Sequence, residues 1–382
     1  MGAVCPPRHP LDKTSAVQRI HTYNGLRPLR SFADAIAATK PDFIVPGDDL
    51  AARHLHDLYC RERHCGKAEG LICALIERSL GAPASFPVVY ARTTFMQLAQ
   101  EEGIRVPKTE VIGNINELRE WVARMGFPTV LKADGTSGGD GVRVVHTIED
   151  AERAFQTLQA PPLLARAAKR ALIDQDNTLV WASLLRRQSV VNAQAFVAGR
   201  EATSTIACWK GTVLASLHFE VVNKAEQAGH ATVVRLIENS EMSSAAERMV
   251  RRLHLSGLHG FDFLLESETE NAYLIEINPR ATQVGHLTLG PGRDLPAALY
   301  AAVSGEAVQE TQRVTENETI TLFPQEWIRD PKSKFLYSGY HDIPWEQPEL
   351  VRACIRSRRK QSAWYSHQNS IQAFSAARLP RS

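Results

Sequence analysis

Asp262, Glu276 and Asn278 are the side chains whose types and spacing most directly suggest chemistry. Ala272 to Asn278 reads as a strand, and side chains two apart on a strand share a face. Glu276 and Asn278 are therefore expected to point together, opposite an apolar set of Tyr273, Ile275 and Ile277. With Leu258 to Glu266 as the partner strand and residues 267–271 as the turn, antiparallel register sets Asp262 across from Glu276. Like charges directly opposite one another destabilise a sheet. A hard divalent cation between them removes that penalty, because Mg2+ takes carboxylate and carbonyl oxygens and keeps its other positions for phosphate and water. Arg280, just past the strand end, suits an anion. A surface hairpin with scattered charges is the plain alternative.

A second segment supplies something for such a metal to serve. Pro128 to Lys132 is a short apolar strand ending in a lysine, and Val142 to Val145 is a second strand. Between them runs Ala133-Asp134-Gly135-Thr136-Ser137-Gly138-Gly139-Asp140-Gly141. Glycine-rich backbone approaches a phosphate closely and aims its amides at it, and Lys132 adds a compact positive charge. The same pattern also serves an ordinary hairpin tip. It is not the Walker pattern, since no Gly-Lys-Ser/Thr follows, and the loop leads into a strand where the dinucleotide fingerprint needs a helix.

Taken together, the two segments resemble the ATP-grasp superfamily over about Tyr90 to Glu306, with weaker matches toward Phe32. The resemblance implies an α/β and α+β architecture: two α+β subdomains gripping ATP, preceded by a small Rossmann-like domain that here lacks its first strand and helix. It implies an ADP-forming carbon–nitrogen ligase that activates a carboxylate as an acyl phosphate and joins it to an amine or similar nucleophile. A small-molecule kinase and a Mg-ATP-binding protein without ligase activity are the alternatives. Biotin-dependent carboxylation ranks lower, because the chain has no Met-Lys-Met carrier motif.

Carried over residue by residue, the resemblance places Lys132, Thr136, Ser137, Gly138, Gly139, Gly141 and Val142 on the triphosphate. Asp262, Glu276 and Asn278 fall on Mg2+ (or Mn2+), and Arg280 on phosphate or the reacting carboxyl. Val190 to Glu201 resembles the linker strand that binds adenine, with Gln194, Phe196, Val197 and Glu201 as its contacts. Two positions depart from the pattern. Arg92 stands where an early lysine is usual, and arginine still binds phosphate, more often as a fork. Ala195 stands where a glutamate is more common, which leaves adenine or ribose to backbone groups, Gln194 or Glu201. Arg235, with Glu220 nearby, is expected either to hold the transferred phosphoryl group or to form a surface salt bridge. Gln283, His286 and Arg293 follow the metal strand in a loop that borders the acceptor substrate in the family. A single histidine among apolar neighbours is otherwise commonly structural.

The elements that must position these residues can be sketched from patterning. Expected divisions are 1–88 (1–30 irregular), an ATP-grasp part at 89–306 split at 188/189, and a C-terminal extension at 307–382 with a mobile tail. Ser31 reads as the cap of a helix to Ala38, and Pro41 to Asp49 as a buried strand followed by a helix through Leu58. Asp48 and Asp49 either face the cleft or cap that helix. Further helices are expected from Arg92, Glu117, Glu149, Leu163 and Met242. Strands are expected at Val106 to Ile112, Ala202 to Cys208 and Thr212 to Val222.

At 382 residues and 44% hydrophobic content the chain can build sizeable cores. With 44 basic against 42 acidic residues, its charge balance gives no call for nucleic acid, and the short run Arg356 to Lys360 reads as solvated. Six scattered cysteines without CxxC pairs fit the cytoplasm, and no stretch of about eighteen apolar residues calls for a membrane. A homodimer is the default expectation.

Overall fold

The computed structural model describes residues 1–134, 141–160, 188–225, 229–307 and 312–356. At the N-terminus β1 (Gly2–Cys5) and β2 (Arg19–Thr22) pair in parallel, ahead of α1 (Pro28–Thr39), α2 (Asp49–His64), α3 (Leu71–Leu80) and α4 (Arg92–Glu101). Next come β3 (Thr109–Ile112), α5 (Ile115–Met125), β4 (Thr129–Ala133), β5 (Val142–Val145), α6 (Ile148–Gln159) and β6 (Val191–Ala195). These strands form an antiparallel sheet of order β3-β6-β4-β5. Helices α5 and α6 cover one face through Leu118, Trp121, Phe155, Leu131 and Val145. The helices start where the sequence supplies caps: Asn114 accepts from the amides of Asn116 and Glu117, and Thr147 accepts from that of Asp150.

The larger sheet is built from β7 (Gly199–Trp209), β8 (Thr212–Lys224), β9 (Ala231–Ile237), β10 (Gly257–Glu266), β11 (Ala272–Asn278), β12 (Thr319–Leu322) and β13 (Tyr340–Asp342). Its order is β11-β10-β7-β8-β9-β12-β13. Lys210 and Gly211 both adopt positive φ in the two-residue turn between β7 and β8, the geometry that matches strand twist in a tight hairpin. Helix α7 (Ser240–Leu253) covers one face of this sheet, where Ile206, Phe261, Phe263 and Leu265 meet Met249, Val250 and Phe95. Helix α8 (Leu295–Ser304) and the loop before it cover the other, with Leu217, Phe219, Val234 and Ile320 against Leu287, Leu289 and Leu295. Two short helices, α9 (Gln325–Arg329) and α10 (Phe335–Ser338), follow, and residues 348–356 are also helical. No helix among the described residues is long and apolar enough to cross a membrane.

Several expectations are corrected. Residues 1–30 are not irregular, because β1 and β2 lie there; each has four residues, too few for alternation to be read. Pro41 to Asp49 is not a strand. Its prolines lack amide donors, and its neighbouring polar groups go elsewhere: Ile44 N donates to Ser79 Oγ (3.0 Å) and Pro46 O accepts from Ala281 N (3.1 Å). Helix α1 begins at Pro28, and Ser31 lies inside its first turn, where it donates to Arg27 O. The strand expected at Val106 is confined to Thr109–Ile112, and the helix expected from Leu163 lies outside the described residues.

Candidate active site

Strands β10 and β11 pair as the sequence requires, with Asp262 opposite Glu276 and Gly260 opposite Asn278. A β-bulge at Ile275 interrupts the ladder. The extra residue shifts the alternation, so Ala272, Leu274 and Ile277 are the buried set, and Tyr273 and Ile275 are only half-buried. This corrects the simple alternation expected for the strand. Because Phe261 and Phe263 enter the core under α7, Asp262 projects from the opposite face. Burial first, and then Glu276, push the Asp262 carboxyl up to about 6. Asn278 Nδ2 donates to Asp262 Oδ2 at 2.9 Å, and Asn278 Oδ1 accepts from Arg280 at 3.2 Å. Arg280 Nε in turn donates to Asp49 at the start of α2 (2.9 Å).

Glycine at position 260 is a packing requirement, since a Cβ there would lie 2.5 Å from Thr282 Cγ2. The loop after β11 thus folds back onto the sheet, where Thr282 donates to Thr205 Oγ1 at 2.8 Å.

Lys132 lies on β4, paired with Asn192 and Val142, and projects away from the α5–α6 core. It is only 7% exposed. Burial brings its ammonium down to about 8, opposed by the charges of Glu276, Asp262 and Glu201. The two sheets therefore turn these faces toward one another. Among the described residues the ammonium has no hydrogen-bond or ion-pair partner.

At the start of α4, Arg92 spans the same gap. It donates to Ala133 O at 2.7 Å and to Glu276 at 3.4 Å, and lies 3.7 Å from Asp134, while its buried Nε has no partner. Asn192 fixes the approach to the glycine-rich loop, donating to Asp134 at 2.8 Å and accepting from Thr93 at 2.6 Å.

The other expected residues divide. Gln194 is buried on the Lys132 face and donates to Thr109 Oγ1 (3.0 Å). Phe196 (43% exposed) and Val197 lie on the turn joining the two sheets, and Glu201 pairs with Lys224 at 2.7 Å. Gly141 O accepts from Ala133 N at 2.9 Å, and Val142 pairs with Lys132. Thr136, Ser137, Gly138 and Gly139 lie outside the described residues.

Arg235 is not brought to this site. It pairs across the strands with Glu220, which lies opposite Ala202 and therefore on the Phe263 face, away from Asp262. Glu220 is buried and takes both Arg235 and Arg200, so the salt-bridge alternative accounts for the pair. His286 and Gln283 face the C-terminal extension, His286 bonding Asp342 (2.7 Å) and Gln283 accepting from Gln325 (3.4 Å). Arg293 is held by Glu238. Sequence reasoning did not single out Asn192, although it lies within the linker-strand stretch, or Thr205, which belongs to no motif; both are recruited by tertiary contact.

Two carboxylates and an amide are hard oxygen donors of the kind Mg2+ takes, with few enough protein ligands to leave room for phosphate. Carboxylate and amide oxygens suit a hard ion, whereas softer ions favour imidazole and thiolate ligands.

A four-stranded and a seven-stranded sheet facing each other across a lysine and an acidic pair define a nucleotide-gripping α+β protein. Residues 91–289 match the family model for the carbamoyl-phosphate synthase L chain, ATP binding domain, and the chain belongs to that family, within the ATP-grasp superfamily. It is 32% identical over 109 residues to phosphoribosylamine–glycine ligase of Ralstonia nicotianae, covering 28% of this chain and 21% of the relative. It is 22% identical over 284 residues to the carbamoyl phosphate synthase large chain of Rubrobacter xylanophilus, covering 72% of this chain and 25% of the relative. The chain thus spans a quarter or less of the length of these relatives.

Among solved structures, N5-carboxyaminoimidazole ribonucleotide synthetase from Thermus thermophilus superposes with a TM-score of 0.56 at 14% identity, over 81% of this chain and 73% of the other. The biotin carboxylase domain dimer of Hydrogenobacter thermophilus 2-oxoglutarate carboxylase, solved with MgADP, ADP and bicarbonate, superposes with a TM-score of 0.56 at 15% identity, over 81% of this chain and 65% of the other. Both share the fold.

Proposed function

We propose that this chain holds Mg-ATP between its two sheets and uses it to phosphorylate a substrate carboxylate, releasing ADP and forming an acyl phosphate that an amine or similar nucleophile attacks. The observation that carries this reading is the buried Lys132 ammonium, which has no anion of its own among the described residues and faces the Asp262–Glu276 pair. A buried cation and a half-buried like-charge pair are each costly alone, and a polyphosphate with a divalent cation satisfies both. Family membership and the MgADP named for the Hydrogenobacter structure support it.

In this reading Lys132, Gly141, Val142 and the Thr136 to Gly139 stretch surround the triphosphate, and Arg92, with its unpaired Nε, is the second cation offered to it. Gln194, Phe196, Val197 and Glu201 border adenine and ribose. Asp262, Glu276 and Asn278 would hold Mg2+, with Mn2+ as the alternative ion, and the metal supplies neutralisation of phosphate charge. Arg280 orients the reacting carboxylate, itself held in place by Asp49. Gln283 and His286 border the acceptor.

A carboxylate oxygen attacks the γ-phosphorus as the bond to the β–γ bridging oxygen breaks. The amine then adds to the acyl carbon and expels phosphate. Positioning and charge neutralisation do the work, and no side-chain nucleophile is needed. Product analysis with Mg-ATP, pools of small carboxylic acids and hydroxylamine tests the reading. ADP and a hydroxamate appearing together with one pool are expected, whereas AMP and pyrophosphate would mean adenylation and overturn it.

A further inference from the structure

Asp49, which grips Arg280, opens α2, and Arg53 follows it one helical turn later on the same side of the helix. The Arg53 guanidinium lies 4.7 Å from the centroid of the Tyr90 ring, and Tyr90 is two residues before Arg92. The position of the Tyr90 ring is itself fixed. Its hydroxyl bonds His56 Nδ1 at 3.0 Å, and His56 stacks on Phe86 with ring centroids 3.9 Å apart. Burial keeps His56 neutral, its ring held down to about 3, so it adds no competing charge. Asp49, Arg53 and Asp57 all act on the Tyr90 phenol, and Asp49 is also the carboxylate that holds Arg280.

Arg53 is half-buried, yet no carboxylate among the described residues lies within 4.0 Å of its guanidinium. A half-buried arginine held over a fixed aromatic ring and hydrogen-bonded to its hydroxyl, with Asp57 near enough to feel its charge but no carboxylate in ion-pair contact, keeps guanidinium donors for an anion.

We propose that Arg53 and Arg280 form a two-point anion site, so that the acid this chain accepts carries a second anionic group, a carboxylate or a phosphate, besides the carboxylate to be activated. This rests on the reading of Arg280 given above. Asp49, which holds Arg280, and Arg53 are one helical turn apart, with Cβ atoms roughly 5–6 Å from each other, so the ligand class proposed is a short-chain di-acid. Bicarbonate or a simple monocarboxylate fills only the Arg280 half.

The test is calorimetric titration of the full chain, with Mg-ADP present, against glutarate, 3-phosphonopropionate, butyrate and bicarbonate. Glutarate or 3-phosphonopropionate, whichever supplies the right second anion, is expected to bind at least about tenfold more tightly than butyrate and bicarbonate, the step that one added ionic contact gives. Arg53→Gln should erase that preference and leave Mg-ADP affinity unchanged, which also reports an intact fold, while Arg53→Lys keeps part of it. A wild-type protein with no dianion preference, including one that binds none of the four probes, overturns the site; so does a preference that survives Arg53→Gln. If the preferred dianion binds but gives neither ADP nor hydroxamate with Mg-ATP and hydroxylamine, the site stands and the ligase reading fails.

Discussion

Lys132 and Asp262 are displaced from their ordinary protonation ranges in opposite directions by one cause, removal from water into the gap between the sheets. For Lys132 the lowered value means that the folded protein begins to lose the proton as pH rises through about 8. Mg-ATP affinity is therefore expected to weaken across that range, and Lys132→Met should bind weakly at every pH, by about 10²-fold, as expected for a lost charge-assisted contact. Calorimetry at two pH values checks this.

For Asp262 the folded carboxyl holds its proton up to about 6, above the unfolded value of 3.8. The folded state then binds more protons between those limits, so stability falls as pH rises through the window, by at most about 3 kcal/mol and less because the group is partly solvated. Asp262→Asn should accordingly raise the melting temperature of the metal-free protein at neutral pH while abolishing nucleotide turnover. A variant that melts lower would mean that the pair is not repulsive. Arg235 gives the contrast. Its partner Glu220 lies on the far face, so Arg235→Gln should leave turnover within about twofold, the small effect expected of a structural ion pair.

At the scale of elements, the hairpin carrying the acidic pair was legible from spacing alone, because a fixed two-residue period turns sequence separation into facing. The register of Asp262 on Glu276 follows from that period, whereas the bulge at Ile275 does not, since nothing in Tyr273 to Ile277 marks an extra residue. The β6–β7 turn was legible as a linker strand, and the antiparallel hairpin around Lys132 from its flanking valines. Illegible from sequence were contacts between distant segments: Asn192 on Thr93, Thr282 on Thr205 and Arg280 on Asp49. Arg235 misled because an inward arginine and one paired across strands on the opposite face have the same local sequence pattern.

The loop after β11 depends on close approach at Gly260. Gly260→Ala should force Thr282 off the sheet and cost about 1–3 kcal/mol by denaturant unfolding, as overpacking does. A neutral variant would show that the loop yields. The same loop is fastened to β13 by His286 and Asp342, and Asp342 raises the histidine above its usual range. That contribution is fully present below the unfolded value of 6.5 and fades as pH rises through the folded one. It should be small, since the His286 side chain is 58% exposed, and Asp342→Asn should remove it from the pH profile of melting.

At the scale of the molecule, three bodies of structure converge on one point. The four-stranded sheet supplies Lys132 and the base of the glycine-rich loop, the seven-stranded sheet supplies Asp262, Glu276 and Asn278, and the N-terminal helices supply Asp49 and Arg53. Arg92 bridges the first two, and Ala281 N donating to Pro46 O fastens the third to the strand end. In the proposed site charged groups find partners across elements, as Arg280 does with Asp49 and Arg92 with Glu276, so the site depends on the assembled chain. Ligand binding to the folded state alone should stabilise all three together, by about 2.7 kcal/mol at a hundredfold excess over Kd.

Calorimetric titration of ATP with and without Mg2+ into the wild-type chain, Glu276→Gln and Lys132→Ala tests the central claim most directly. Tight binding in the wild type that requires the metal, with the metal dependence lost in Glu276→Gln and affinity lost in Lys132→Ala while all three melt cooperatively, is the predicted result. Equal, metal-dependent binding by all three proteins would contradict it and place the nucleotide elsewhere.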